Sequence, residues 1–161
     1  MTRPAAASAV SAAEETAHAD TVASTLLGPI VVPAEAHYTF PLGLYGFESC
    51  REFVLVPAGR PALYWLQSAQ EPGLVFLVAE PGHFFPHHEV DVPAADLEVL
   101  GGSTAPADTF VAFVVVTLGE NRDAATANLQ APLVLHTASR TGRQVVLNDG
   151  HQRVRVPLAI D

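Results

Sequence analysis

From Leu26 onward the chain breaks into short runs of β-branched and aromatic residues, cut every few positions by proline and glycine. This texture constrains the fold more than any other feature. Such runs suit pleated strands, and the residues between them supply the turns that join neighbouring strands. The candidate strands are 29–32, 37–40, 52–56, 62–68, 74–80, 88–92, 109–118, 131–137, 143–148 and 153–158. Their close spacing predicts an all-β domain whose antiparallel sheet closes into a barrel or folds into a sandwich. A single helix is expected at 93–100, with a proline at its start, Leu97 and Leu100 three apart, and Gly101 and Gly102 to stop it.

Alternation refines this reading. In "ALYWLQS" it sends Leu63, Trp65 and Gln67 to one face and Tyr64, Leu66 and Ser68 to the other. The run "FVAFVVVTL" is apolar on both faces and is the candidate for the most buried strand. "RVRVPL" sets Arg153 and Arg155 against Val154 and Val156, as on an edge strand that Pro157 would end. Residues 1–24 are rich in alanine, serine and threonine and lack aromatics, the profile of a disordered tail preceding one domain over 25–161.

Composition excludes several functions. Eight arginines, no lysine and 17 carboxylates leave a formal net charge of -9. A nucleic-acid binder needs the opposite balance, since basic side chains on phosphates supply most of its affinity. A basic protein partner fits better. Cys50 is the lone cysteine, so no intrachain disulfide can form and a reducing, cytoplasmic setting is expected. The N-terminal stretch has neither the apolar core of an export signal nor the roughly 18 apolar residues of a membrane helix.

The sharpest chemical candidate is "HFFPHHE" at 83–89. Imidazole and carboxylate are ordinary ligands for zinc, iron or manganese. On a regular strand His87, Glu89 and Asp91 share one face while His88 faces away, so a third ligand must come from His83, His136 or His151. That would make a metal-dependent β-barrel enzyme. The competing reading is a polar row on an edge strand, where charge discourages pairing with other chains. No nucleophile elbow and no phosphate-binding glycine loop is present; "GLYG" at 43–46 reads as a tight turn. Arg140, Arg143, Arg153 and Arg155 are read as a solvated strand face, with an anion or acidic-peptide contact as the alternative.

Five motifs in the same order carry a resemblance to the flagellar assembly factor FliW family over about 25–158. "FPLGLYGFE" is similar to the family's F-x-x-G-L-P-G-F-E through Phe40, Gly43, Leu44, Gly46, Phe47 and Glu48. "YWLQS" carries W-L-Q-S as Trp65, Leu66, Gln67 and Ser68. "LVFLVAEPGHFFP" resembles an apolar strand followed by an F-F-P turn, at Phe76, Pro81, Phe84, Phe85 and Pro86. "TANLQAPLVL" matches at Thr126, Asn128, Leu129, Ala131 and Pro132, and "GRQVVL" at Gly142, Gln144 and Leu147. Tyr45 stands where the family usually has proline, Gln130 replaces a common leucine, and His136 an asparagine. An acidic or aromatic pair is usual at 87–88, so the resemblance implies a turn there and no metal or other cofactor.

The resemblance implies a non-enzymatic protein, monomeric when free, that antagonises the translational regulator CsrA and alternatively binds flagellin. Occupation by flagellin would free CsrA to repress flagellin translation. Trp65, Phe47 and Phe76 are expected in the core, and Tyr45, Glu48, Phe85, Asn128 and Gln130 at partner contacts, because they lie in or beside turns.

Overall fold

The computed structural model describes residues 20–101, 105–106, 109–121, 124–148 and 153–160. Its centre is a closed seven-stranded barrel. β3 (His37–Thr39), β4 (Glu52–Pro57), β5 (Leu63–Ser68), β6 (Val75–Ala79), β7 (Phe110–Thr117) and β8 (Thr126–His136) follow one another as antiparallel neighbours, except that β3 begins the series and β8 ends it. β9 (Thr141–Gln144) pairs with β8 on one side and with β3 on the other, which closes the ring. The β3–β9 junction is parallel and rests on one residue pair, Thr39 with Thr141. The all-β barrel read from the sequence is thus observed, with one parallel seam.

The barrel forms because both faces of its strands have something to bury. Inside lie Tyr38, Phe40, Phe53, Leu55, Tyr64, Leu66, Phe113, Leu133 and Leu135. The outer face is covered by three attachments. A hairpin of β1 (Asp20–Val22) and β2 (Ile30–Val32) packs Val22 and Val32 on Val54. β10 (Val156–Pro157), the short helix α1 (Pro81–Phe84) and the adjoining Phe85 cover Leu63, Leu77, Val114 and Val116. The helix α2 (Ala94–Gly101) lays Leu97 and Leu100 on Val134, Val145 and Leu147. The alternation of β5 is realised: Tyr64 and Leu66 point inward, Leu63 and Trp65 outward. β7 is apolar on both faces for the same reason, with Phe113 inside and Val114 and Val116 outside.

Several expectations change. Residues 88–92 form no strand and run as an irregular segment beside β7. The tail boundary at 24 falls within the described β1–β2 hairpin, because Val22 finds an apolar partner across the turn. β8 starts at Thr126, five residues before the expected run at 131, and β10 is only two residues long. Val154 is exposed, against the alternation read there. No described helix is long and apolar enough to cross a membrane.

The W-L-Q-S motif is explained by a turn. Gln67 is fully buried, and its Nε2 lies within 3.0–3.4 Å of the carbonyls of Ser68, Glu71, Pro72 and Leu74. Ser68 Oγ accepts from the amides of Gln70 and Glu71. These two side chains satisfy the backbone of the β5–β6 connection, which would otherwise be buried without partners.

Candidate functional site

The loop 41–48 leaves the barrel where Phe40 ends β3. Phe40 is fully buried and donates its amide to Arg51, while its carbonyl accepts from Gly43 at 2.8 Å. Gly43 adopts φ +68°, and a Cβ there would lie 2.6 Å from the Cα of Glu48. Only glycine permits that approach. Leu44 then turns inward and bridges back to Phe47, whose ring sits edge-on to Phe76 at 5.4 Å.

Apart from Glu48, what the loop presents to solvent is largely apolar. Leu42 is 62% exposed, Tyr45 63% and Phe47 40%, with Val99 of α2 at 67% on the neighbouring wall. Phe47, read from the sequence as core, is therefore only part covered; Trp65 and Phe76 are partly buried against the two main apolar clusters. Glu48 stands at the loop's end with Oε2 accepting from the Gly46 amide at 2.9 Å. That amide, and then Glu48's own, hold the carboxyl below the usual carboxylate range against a lesser opposing desolvation.

A chain of hydrogen bonds ties this loop to the far strand. The Tyr45 amide donates to Gln144 Oε1 at 2.9 Å, and Gln144 Nε2 donates to the Ala131 carbonyl at 3.3 Å. Asn128 Oδ1 accepts from the amides of Gln130 and Ala131, at 3.0 and 3.2 Å. These bonds hold an irregularity in the ladder: Phe113 pairs with Leu133 but Val115 pairs with Asn128, so Val114 alone faces 129–132. Pro132, which has no amide to give, falls within it. Gln130 Nε2 donates to the Leu147 carbonyl and its Oε1 accepts from the Arg153 amide, fastening the C-terminal segment across β8.

Four of the residues singled out from the sequence, Tyr45, Glu48, Asn128 and Gln130, therefore belong to one connected region. The first two face solvent; the side chains of the other two hold backbone. Asn128→Ala is expected to lower stability by about 1–2 kcal/mol, since two partly buried amides lose their acceptor. Chemical denaturation would check this, and an unchanged midpoint would mean the bulge holds without Asn128. Phe85 lies elsewhere, packed with Phe84 on the cluster of Leu63, Leu77 and Val116. Leu42, Val99, Arg143 and Gln144 complete the region; Leu42, Val99 and Gln144 were not singled out as contacts from the sequence, and Arg143, one of the arginines read there, is paired with Asp96 at 3.0 Å. Gln144 was visible as a motif position, but nothing in its neighbours reveals a bond to Tyr45.

The histidines do not converge. His83 meets the Phe84 ring edge-on at 4.8 Å, His87 is exposed, and His88 and Glu89 line a groove of about 500 Å³ against Phe110 and Ala112. His136 is buried in the barrel wall with Nδ1 2.7 Å from Ser139 Oγ. His151 lies outside the described residues. Among the described residues, no three His, Cys, Asp or Glu side chains come together as a metal would require.

Comparison with known proteins decides the family. The family described as "FliW protein" matches residues 21–158, nearly all of the described fold. This chain belongs to the FliW family. A flagellar assembly factor FliW of Symbiobacterium thermophilum is 34% identical over 123 residues, covering 75% of this chain and 88% of its own. That of Bdellovibrio bacteriovorus is 33% identical over 138 residues, 85% of this chain and 78% of its own. The crystal structure of a flagellar assembly factor FliW superposes with a TM-score of 0.78 at 30% identity, over 88% of this chain and 99% of that one. The FliW motifs also acquire physical roles: F-P-L-G-L-Y-G-F-E is the exposed loop, and T-A-N-L-Q-A-P is the bulge beneath it.

Proposed function

We propose that this FliW protein acts without bond chemistry, in the cytoplasm, by binding CsrA and, in its place, flagellin. Flagellin that accumulates unassembled would occupy the protein and leave CsrA free to repress; its export would reverse this. The observation that carries the reading is the loop 41–48, which spends one of the family's motifs on a rigid surface exposing Leu42, Tyr45 and Phe47. Apolar side chains held outward by glycine turns and a tether to Gln144 contribute little to folding, and are suited to a partner interface. The net charge of -9 favours encounter with a basic RNA-binding protein.

Isothermal titration against CsrA, against flagellin, and against CsrA with flagellin preloaded tests the scheme. Saturable CsrA binding that flagellin abolishes is the expected result, with Tyr45→Ala weakening at least one interaction by about tenfold, as for an exposed aromatic anchor. Simultaneous binding of both partners would sink the exclusive switch.

A further inference from the structure

Among the described residues, the barrel's seam leaves one strand edge without a neighbour. Val145 donates to the Pro132 carbonyl and Leu147 to that of Gln130, so odd-numbered residues from β9 onward turn their backbone toward β8. Even-numbered residues turn theirs away. Arg140's carbonyl, on that outer side, is taken by the Thr39 amide at 2.9 Å, but β3 then ends and the chain swings off at Pro41. Beyond this point, among the described residues, the amides of Gln144 and Val146 have no backbone acceptor.

The space beside this edge is a groove. One wall is the loop at Leu42 and Tyr45, the other is α2 at Val99, and β9 forms the floor. Its two hollows, of about 190 and 280 Å³, meet at Leu42 and Arg143. Arg143 Nε holds Asp96 at 3.0 Å and so fixes the α2 wall. The loop is tied to β9 through the Gln144 side chain and leaves that residue's backbone out of the bond. Val146, at the open end, is 43% exposed.

We infer that this edge receives an extended, apolar segment of a partner protein, which adds as a strand to β9 and sets a lysine or arginine beside Glu48. Main-chain hydrogen bonds to Gln144 and Val146 would supply affinity, and alternate side chains would enter the hollows at Leu42 and Val99. An unpaired edge flanked by apolar side chains is a template that proteins otherwise blunt with charge or cover. Among the described residues, the charges at the groove are Glu48 and the Arg143–Asp96 pair, whose cation is already matched, so the groove favours a cationic segment. The inference rests on the partner-binding reading above and specifies its mode.

Val146→Pro tests it. Proline at an even position removes an outward amide and leaves the bonds to β8 intact, a placement edge strands tolerate. The variant is expected to melt within about 3 °C of the parent, yet to bind CsrA or flagellin about tenfold more weakly. In the parent, the Gln144 and Val146 amides should gain protection from hydrogen exchange when the same protein is bound. If the parent binds but the variant keeps full affinity and those amides exchange as before, docking is by side chains alone and strand addition is overturned while the proposed function stands. Binding of neither protein by the parent would overturn both. Should the variant fail to fold, amide protection in the parent decides alone.

Discussion

Phe40→Ala is expected to cost about 3–5 kcal/mol, the range for deleting a large buried aromatic side chain. Three contacts make the site unable to collapse around the loss. The ring meets Phe53 edge-on at 5.4 Å and 78°. It also lies against the backbone of Gly142, where an added Cβ would come within 2.5 Å of its Cζ, and Leu135 closes the same corner. Phe40 thus joins β3, β4 and β9 at the point where the barrel closes through a single parallel pair. A fall in melting temperature of more than about 10 °C is the expected reading for a domain of this size. A change under about 3 °C would show that the seam is held by something other than this ring.

Gly43→Ala should disrupt the apolar loop surface proposed above to meet a partner, while sparing the barrel. The φ of +68° costs an L-residue about 1–2 kcal/mol, and the new methyl would meet the Cα, C and O of Glu48 at 2.6–2.9 Å. Backbone atoms cannot step aside as a flexible side chain would. The 41–48 loop must therefore open, releasing Tyr45 from Gln144 and displacing Leu42, Tyr45 and Glu48 together. On the proposed function, CsrA binding should fall by about a hundredfold, the scale of losing a hot-spot cluster, while the amide spectrum of β4 to β7 stays unchanged. Retained binding with a displaced loop would separate this surface from partner recognition. Gly46 is a useful contrast: its φ is +88°, but a Cβ there meets nothing within 4 Å, so Gly46→Ala should show strain alone.

The candidate site was legible in part. Tyr45 and Glu48 could be singled out because glycines on both sides of Tyr45 announce a turn, and turns reach the surface. Asn128 and Gln130 were visible as polar residues beside a proline, but the sequence does not say whether such side chains face a partner or their own backbone. The structure shows them engaged with amides and carbonyls of β8 and the C-terminal segment. Leu42 and Val99 carried no mark at all. An exposed leucine and a buried one look alike until the neighbouring chain is in place. The strand expected at 88–92 illustrates the converse, since "HEVDV" has a good period-two pattern but β7 is already paired on both sides, by β6 and β8.

By itself the sequence determined the all-β class, the strands read at 37–40, 52–56, 62–68, 74–80 and 109–118, each within a residue of its observed bounds, and which face of β5 meets the interior. Each of these is a local property: a two-residue period, β-branched content and turn residues act within a few positions along the chain. Only the tertiary structure decided how the barrel closes, how β8 bulges over 129–132, and where β1 docks. It alone brought Tyr45 to Gln144, 99 residues away. Such contacts depend on which strands become neighbours, and a period of two is the same whichever neighbour a strand finds. The open edge of β9 arises in the same way, from β3 ending at Thr39 before its partner does.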